Sequence, residues 1–186
     1  MINKGYTVKY FGAGFDSSKP VFVGIDQSYS GFAITFMNKD GNYHTAVAKA
    51  SGTGVERLYN LQKFLDENLV ADYNYSEFVM EGYAFGSQMA NMLGELGGMV
   101  KLHIFDTFGI RALLVPPTNL KKYVTGKGTG VQKNQMLLHI YKKWNVEFTD
   151  DNAADSYALA RIAAKLGDTQ YEKDTLEKLD DIKFRA

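Results

Sequence analysis

Three acidic residues stand where acids are ordinarily scarce. Asp26 ends one apolar run, Glu81 ends another, and Asp155, with Asp151 four residues before it, begins an Ala-rich helical stretch. Taken singly, each has an ordinary role: Asp26 can open a turn with Ser28 and Ser30, Glu81 before Gly82 can end a strand at the surface, and Asp150 or Asp151 suits a helix N-cap. Taken together they allow metal chemistry. Neighbouring strands can bring Asp26 and Glu81 to one end of a sheet, and helix positions three or four apart share a face, so Asp151 or Asn152 can accompany Asp155. A cluster of three or four carboxylate oxygens does not stay ionised without a cation, and hard oxygen ligands suit Mg2+ or Mn2+. Two such ions about 3.5–4 Å apart are the common arrangement for in-line phosphodiester displacement, which is nuclease chemistry.

Those acids need a particular scaffold. Residues 21–25 form a short β-branched and aromatic run, the pattern of a buried strand, and deliver Asp26 at its end. Residues 31–37 and 43–50 read as two further strands joined by the turn residues 38–42, giving an antiparallel meander. Val55, Leu58, Leu61, Phe64, Leu65 and Leu69 then recur at helical spacing. Residues 78–80 make a brief strand ending in Glu81, and residues 87–108 a long helix whose Gly94, Gly97 and Gly98 imply close packing or a bend. Residues 111–115 form a strand stopped by Pro116 and Pro117. A basic, Gly-rich loop or frayed helix follows over 121–130, then helices over 131–144 and 150–166. This order predicts a mixed α/β sheet of five strands, three antiparallel then two parallel, flanked by helices. Residues 1–20 read as an N-terminal extension, 21–167 as the domain, and 168–186 as a charged tail or short helix.

The length of 186 residues suits one domain, and 45% apolar with 23% charged residues excludes collagen-like, coiled-coil and disordered classes. With 21 basic and 21 acidic residues, the net charge of zero carries no global argument for a nucleic-acid partner. Its distribution does. Residues 101–145 hold eight Lys or Arg against the single acid Asp106, a segment charge of +7, so the rest of the chain carries −7. The absence of Cys excludes disulfides, thiolate zinc sites and a cysteine nucleophile. No run of 18 apolar residues exists and the N-terminal segment lacks a signal-peptide core, so a soluble intracellular protein is expected. His44, His103 and His139 have no ligand spacing.

Gly24-Ile25-Asp26-Gln27-Ser28-Tyr29-Ser30-Gly31-Phe32-Ala33, Val79-Met80-Glu81, and residues 151–160 resemble, in order and spacing, the three signatures of RuvC-type Holliday junction resolvases of the RNase H-like superfamily. Residues 115–128 with Lys133-Asn134-Gln135-Met136 resemble the family's basic segment, and the likeness covers about residues 20–167. It implies an RNase H-like fold and a cytoplasmic homodimer, in a bacterium or a phage-infected cell. Four-way DNA junctions would be cut by paired nicks that leave 5′-phosphates, with two Mg2+ per site, Mn2+ able to substitute, and no small-molecule cofactor or membrane. Asp26 would bridge both ions, Glu81 would bind one, and Asp155 with Asp151 or Asn152 would complete the other. The family usually has Asp or His three residues before the last acid, where this chain has Asn152. Lys121 matches the active-site lysine and Lys133 a second basic contact, with Lys122 and Lys127 on the same DNA-binding segment. Tyr83 and Phe85 follow Glu81, where the family places an aromatic that stacks on the bases at the crossover; Phe85 is near that position rather than at it, and an ordinary core role is the alternative for both.

Three rivals remain open on sequence. An actin-like ATPase or sugar kinase also opens with a strand, an Asp and a hairpin, but needs two such domains and a second phosphate loop. A non-catalytic junction-binding module gains nothing from anionic ligands placed against phosphate. A nuclease for flaps, other branched DNA or RNA would keep every residue named above.

Overall fold

The computed structural model describes residues 5–83, 90–181, 184 and 185. Its centre is the apolar run read as the first strand. In β2 (Val21–Asp26), Val21, Val23 and Ile25 are wholly buried against one helical layer. β2, β3 (Phe32–Met37) and β4 (Tyr43–Ala50) form the antiparallel meander, with Asp26 opposite Ala33 and Phe32 opposite Ala48. β5 (Tyr75–Glu81) runs parallel to β2, pairing Ile25 with Met80, and β6 (Leu113–Val115) runs parallel to β5. Parallel pairing makes Asp26 and Glu81 arrive together at one end of the sheet. α1 (Gly54–Asn68) and α2 (Ala90–Phe108) cover one face through Leu61, Phe64, Leu65, Leu96, Val100 and Ile104. α3 (Pro117–Thr125), α4 (Lys133–Trp144), α5 (Asp151–Ala163) and α6 (Gln170–Leu179) gather on the other. Coverage of both faces is why the central strands read as continuous apolar runs.

Two expectations require correction. Among the described residues the sheet has six strands rather than five, the added one being β1 (Tyr6–Ala13), in the order β1-β4-β3-β2-β5-β6. This strand lies in the N-terminal extension and pairs antiparallel with β4 from Tyr6 opposite Ala50 to Ala13 opposite Tyr43. As an edge strand it buries no residue fully, and its apolar–polar alternation from Tyr6 to Tyr10 is short and broken by Phe11, Gly12 and Ala13. The second correction concerns Pro116 and Pro117. They stop β6, but Pro117 also occupies the first turn of α3, where its missing N–H is harmless. The helix therefore starts earlier than the loop or frayed helix predicted over 121–130, and it is capped by Gly126, whose φ of 79° is left-handed and whose N–H bonds to Lys122 O. Among the described residues no helix is long and apolar enough to cross a membrane.

The helix carrying Asp155 is seated by backbone contact. A Cβ placed on Gly24 would collide with the main-chain N of Ala160 and the main-chain O of Ser156, so α5 rests directly on β2. A buried hydroxyl chain locks the same contact: Thr45 to Thr35 at 2.7 Å and Thr35 to Ser156 at 2.8 Å, with Ser156 donating to Ala153 O at 3.0 Å. At the helix start Asp150 accepts the N–H groups of Asn152 and Ala153, at 3.0 and 3.2 Å. Gly24→Ala should destabilise the protein by about 3 kcal/mol in denaturant unfolding, because the colliding atoms are backbone and no rotamer relieves them. A loss under about 0.5 kcal/mol would show that α5 shifts freely.

Candidate active site

The sheet end that carries Asp26 and Glu81 opens into a cavity of about 410 Å³, and Asp155 on α5 reaches it from the adjoining helix. Only 5% of Asp26 is exposed, and Glu81 and Asp155 are half-buried. Gln27 ties the two strand ends together, its Nε2 donating to Glu81 O at 2.9 Å.

Burial and mutual repulsion dominate the electrostatics. Asp26 is held well above the usual carboxylate range, first by desolvation and then by the charges of Glu81, Asp155 and Asp151, with Lys133 opposing. Asp155 is pushed up to about 7 by burial, Glu81 and Asp151, against Lys133 and Lys121. Burial raises Glu81 to about 6, again against Lys121 and Lys133. Asp151 behaves in the opposite way: the ammonium of Lys133 bonds to it and holds its carboxyl below the ordinary value. Among the described residues no three His, Asp or Glu side chains close into a ready-made metal cage. An all-oxygen donor set whose members favour protonation when left alone suits a hard divalent cation.

The other residues singled out in the sequence divide clearly. Asn152, Lys133 and Tyr83 line the cavity with the three acids. Asn152 is packed so closely on Gly31 that a Cβ there would overlap its amide nitrogen. Asp151 does not line the cavity; it sits beside it, bonded to Lys133. Lys121, half-buried on α3, acts on Glu81 and Asp155 from outside the lining. Lys122 and Lys127 are exposed on α3 and on the loop that follows it. Tyr83 packs toward Gly97 of α2, and the Lys101 ammonium lies 5.5 Å from its ring centre. Phe85 lies outside the described residues. One member of the basic segment is spent structurally, since Lys143 is bonded to the fully buried Glu172 of α6.

Sequence reasoning passed over Gln27, Tyr29 and Arg57, all of which line the cavity. Gln27 and Tyr29 stand inside the first motif, where their neighbours drew attention. Arg57 had no local signal, being one cation in an ordinary amphipathic helix.

No family profile matches the sequence, and no curated protein matches it. Solved structures do. The structure of Thermus thermophilus RuvC superimposes with a TM-score of 0.64 at 17% identity, covering 89% of this chain and 98% of that one. T. thermophilus RuvC in complex with a Holliday junction substrate superimposes with a TM-score of 0.59 at 16% identity, over 75% of this chain and 89% of the other. At such low identity the likeness is one of architecture: the chain has the fold of Thermus thermophilus RuvC, a mixed α/β RNase H-like sheet flanked by helices.

Proposed function

We propose that this protein is a structure-selective DNA endonuclease that resolves four-way junctions as a homodimer, one nick per subunit, leaving 5′-phosphates. The observation that carries this reading is the convergence of Asp26, Glu81 and Asp155 on one cavity at the end of a sheet shared with RuvC. A RuvC bound to a Holliday junction is among the structures it resembles, which supports a branched DNA partner.

Asp26, Glu81 and Asp155, with Asn152 or Asp151, would hold two Mg2+, and Mn2+ would serve in their place. Bound there, the ions supply the activated water and stabilise the leaving oxygen of in-line displacement. Asp26, the most buried of the three cavity acids and acted on by both Glu81 and Asp155, would contribute to holding both ions. Lys121, which acts on Glu81 and Asp155 together, orients the scissile phosphate between them. Lys133 keeps Asp151 ionised beside the cavity. Tyr83 at the rim offers a ring for a base, as Phe85 would, and Lys122 and Lys127 neutralise flanking phosphates.

The decisive measurement is cleavage of a labelled synthetic four-way junction beside linear duplex, a 5′-flap, single-stranded DNA and a branched RNA, in Mg2+ and in EDTA. Symmetric nicks on the junction alone, only with the metal, are expected. Equal cutting of flaps or RNA would transfer the chemistry to another branched substrate, and binding without any cutting would make the protein a junction-binding module. Asp26→Asn should abolish cleavage and leave junction binding intact or tighter; turnover at the wild-type rate would refute the metal site. Lys121→Ala should slow cleavage more than it weakens binding, whereas equal losses would reduce it to a plain phosphate contact.

The acids also predict how stability follows pH. In the metal-free folded protein Asp155 and Glu81 keep protons to about 7 and about 6, whereas unfolded carboxyls release them near pH 4. The native state therefore binds more protons across that window, and stability falls as pH rises from about 4 to about 7. Asp155→Asn should flatten the decline in melting temperature of metal-free protein between pH 5 and pH 8. Mg2+ at pH 8 should raise the melting temperature of the wild type but not of Asp26→Asn. Identical slopes in wild type and Asp155→Asn would contradict the assigned electrostatics.

A further inference from the structure

The cavity does not stop at the acids. It passes around the end of the sheet toward the layer of α1 and α2, where Ser28, Tyr29, Ser30 and Arg57 form its wall. Arg57, on the first turns of α1, is unusually well placed. Its Nε donates to Gly52 O at 2.9 Å and its Nη1 to Tyr29 O at 3.3 Å, while the guanidinium lies over the Tyr29 ring, 4.8 Å from the centroid. These partners are two neutral carbonyls and a ring. Arg185 shows the contrast: both arms of its fork are filled by the Glu77 carboxylate, at 2.7 and 2.8 Å. Among the described residues the bonded partners of Arg57 fix it in position without neutralising its charge and leave several of its five N–H donors unused.

A rigid guanidinium of this kind, in a cavity whose other wall is acidic, is complementary to an anion that also reaches the acids. A polynucleotide strand meets that description. When one phosphate lies against Asp26, Glu81 and Asp155, the next phosphate on the same strand follows one nucleotide away. The planar fork of arginine matches phosphate oxygens two at a time. We propose that Arg57, braced by Tyr29, binds the phosphate adjacent to the scissile one on the cleaved strand. The hydroxyls of Ser28 and Ser30, bonded to each other at 3.3 Å on the same wall, leave one O–H as a neutral donor to that subsite. This assignment rests on the nuclease reading above and sharpens it: it states which part of the substrate is held, and by which layer of the fold.

The test uses junctions carrying a single uncharged methylphosphonate at each position flanking the cut. For the wild type, one flanking position should lower kcat/KM by about tenfold or more. Arg57→Ala should lose a similar factor on the unmodified junction and lose nothing further at that position. Its binding should also show a salt slope shallower by about 0.9, the signature of one lost phosphate contact. Arg57→Lys, which keeps the charge without the fork, should recover the slope and only part of the rate. It also serves as the second variant should Arg57→Ala fold poorly. Losses that simply multiply at every methylphosphonate position, or an unchanged salt slope with a lowered melting temperature, would overturn the proposal and leave Arg57 as a tie between Gly52 and Tyr29. A loss confined to particular bases beside the cut would overturn it in favour of base recognition. Wild-type protein that neither binds nor cuts the unmodified junction would fail the nuclease reading itself, and that outcome is separate from any comparison of variants.

Discussion

The direct seating of α5 on β2 at Gly24 is the constraint from which the cavity follows. A helix separated from a sheet by side chains can slide by an ångström or more as those side chains repack. One resting backbone to backbone cannot, because Ala160 N and Ser156 O already occupy the space a Cβ would need. Gly24 lies two residues before Asp26, and Ser156 directly follows Asp155, so the contact and the acids belong to the same few residues. The Thr45, Thr35 and Ser156 hydroxyls add direction to the contact, since a shifted α5 would leave buried hydroxyls unpaired. Parallel pairing of β2 with β5 then sets Glu81 beside Asp26 by register alone.

That geometry is electrostatically unfavourable without a ligand. Desolvation raises Asp26, Asp155 and Glu81 together, repulsion between acids adds to it at Asp26 and Asp155, and Lys133 and Lys121 relieve only part of it. Stability must come from elsewhere, and the two apolar layers supply it. Tyr123, Tyr157, Phe32, Phe64 and Phe78 are all almost wholly buried in those layers. A rigid scaffold thus holds a locally strained charge cluster. This is the usual division between a fold and its site.

Much of the arrangement was legible in the sequence, and what was not has identifiable causes. Asp26, Glu81 and Asp155 stood out because acids at strand ends and at a helix start break the local rule. β1 did not, because its alternation lasts only from Tyr6 to Tyr10 before Phe11, Gly12 and Ala13 break it, and none of its residues is fully buried. α3 was shortened in the reading because two consecutive prolines signal an end and a beginning equally well. The choice between Asp151 and Asn152 depends on where each side chain goes once α5 is seated. The packing of Asn152 on Gly31 and the bond from Asp151 to Lys133 are tertiary facts with no local trace. Arg57 was invisible for the same reason, since its environment is assembled by Gly52 and Tyr29 from outside its helix.

The charge distribution along the chain is also redrawn by folding. The basic stretch over 101–145 reads as a uniform field, yet its members do different work. Lys143 is consumed by Glu172, which also takes the N–H groups of Asp168 and Thr169 and so fastens the start of α6. Lys101 lies over the ring of Tyr83, and Lys133 holds Asp151. Lys121 acts on Glu81 and Asp155, and Lys122 and Lys127 remain at the surface. Arg57, outside that stretch, enters the cavity from the other helical layer. Cations therefore approach the acids from both faces of the sheet, which a count along the sequence cannot reveal. A phosphodiester strand drawn into such a cavity would be gripped from two sides at its charged backbone. That grip favours recognition by shape over recognition by sequence.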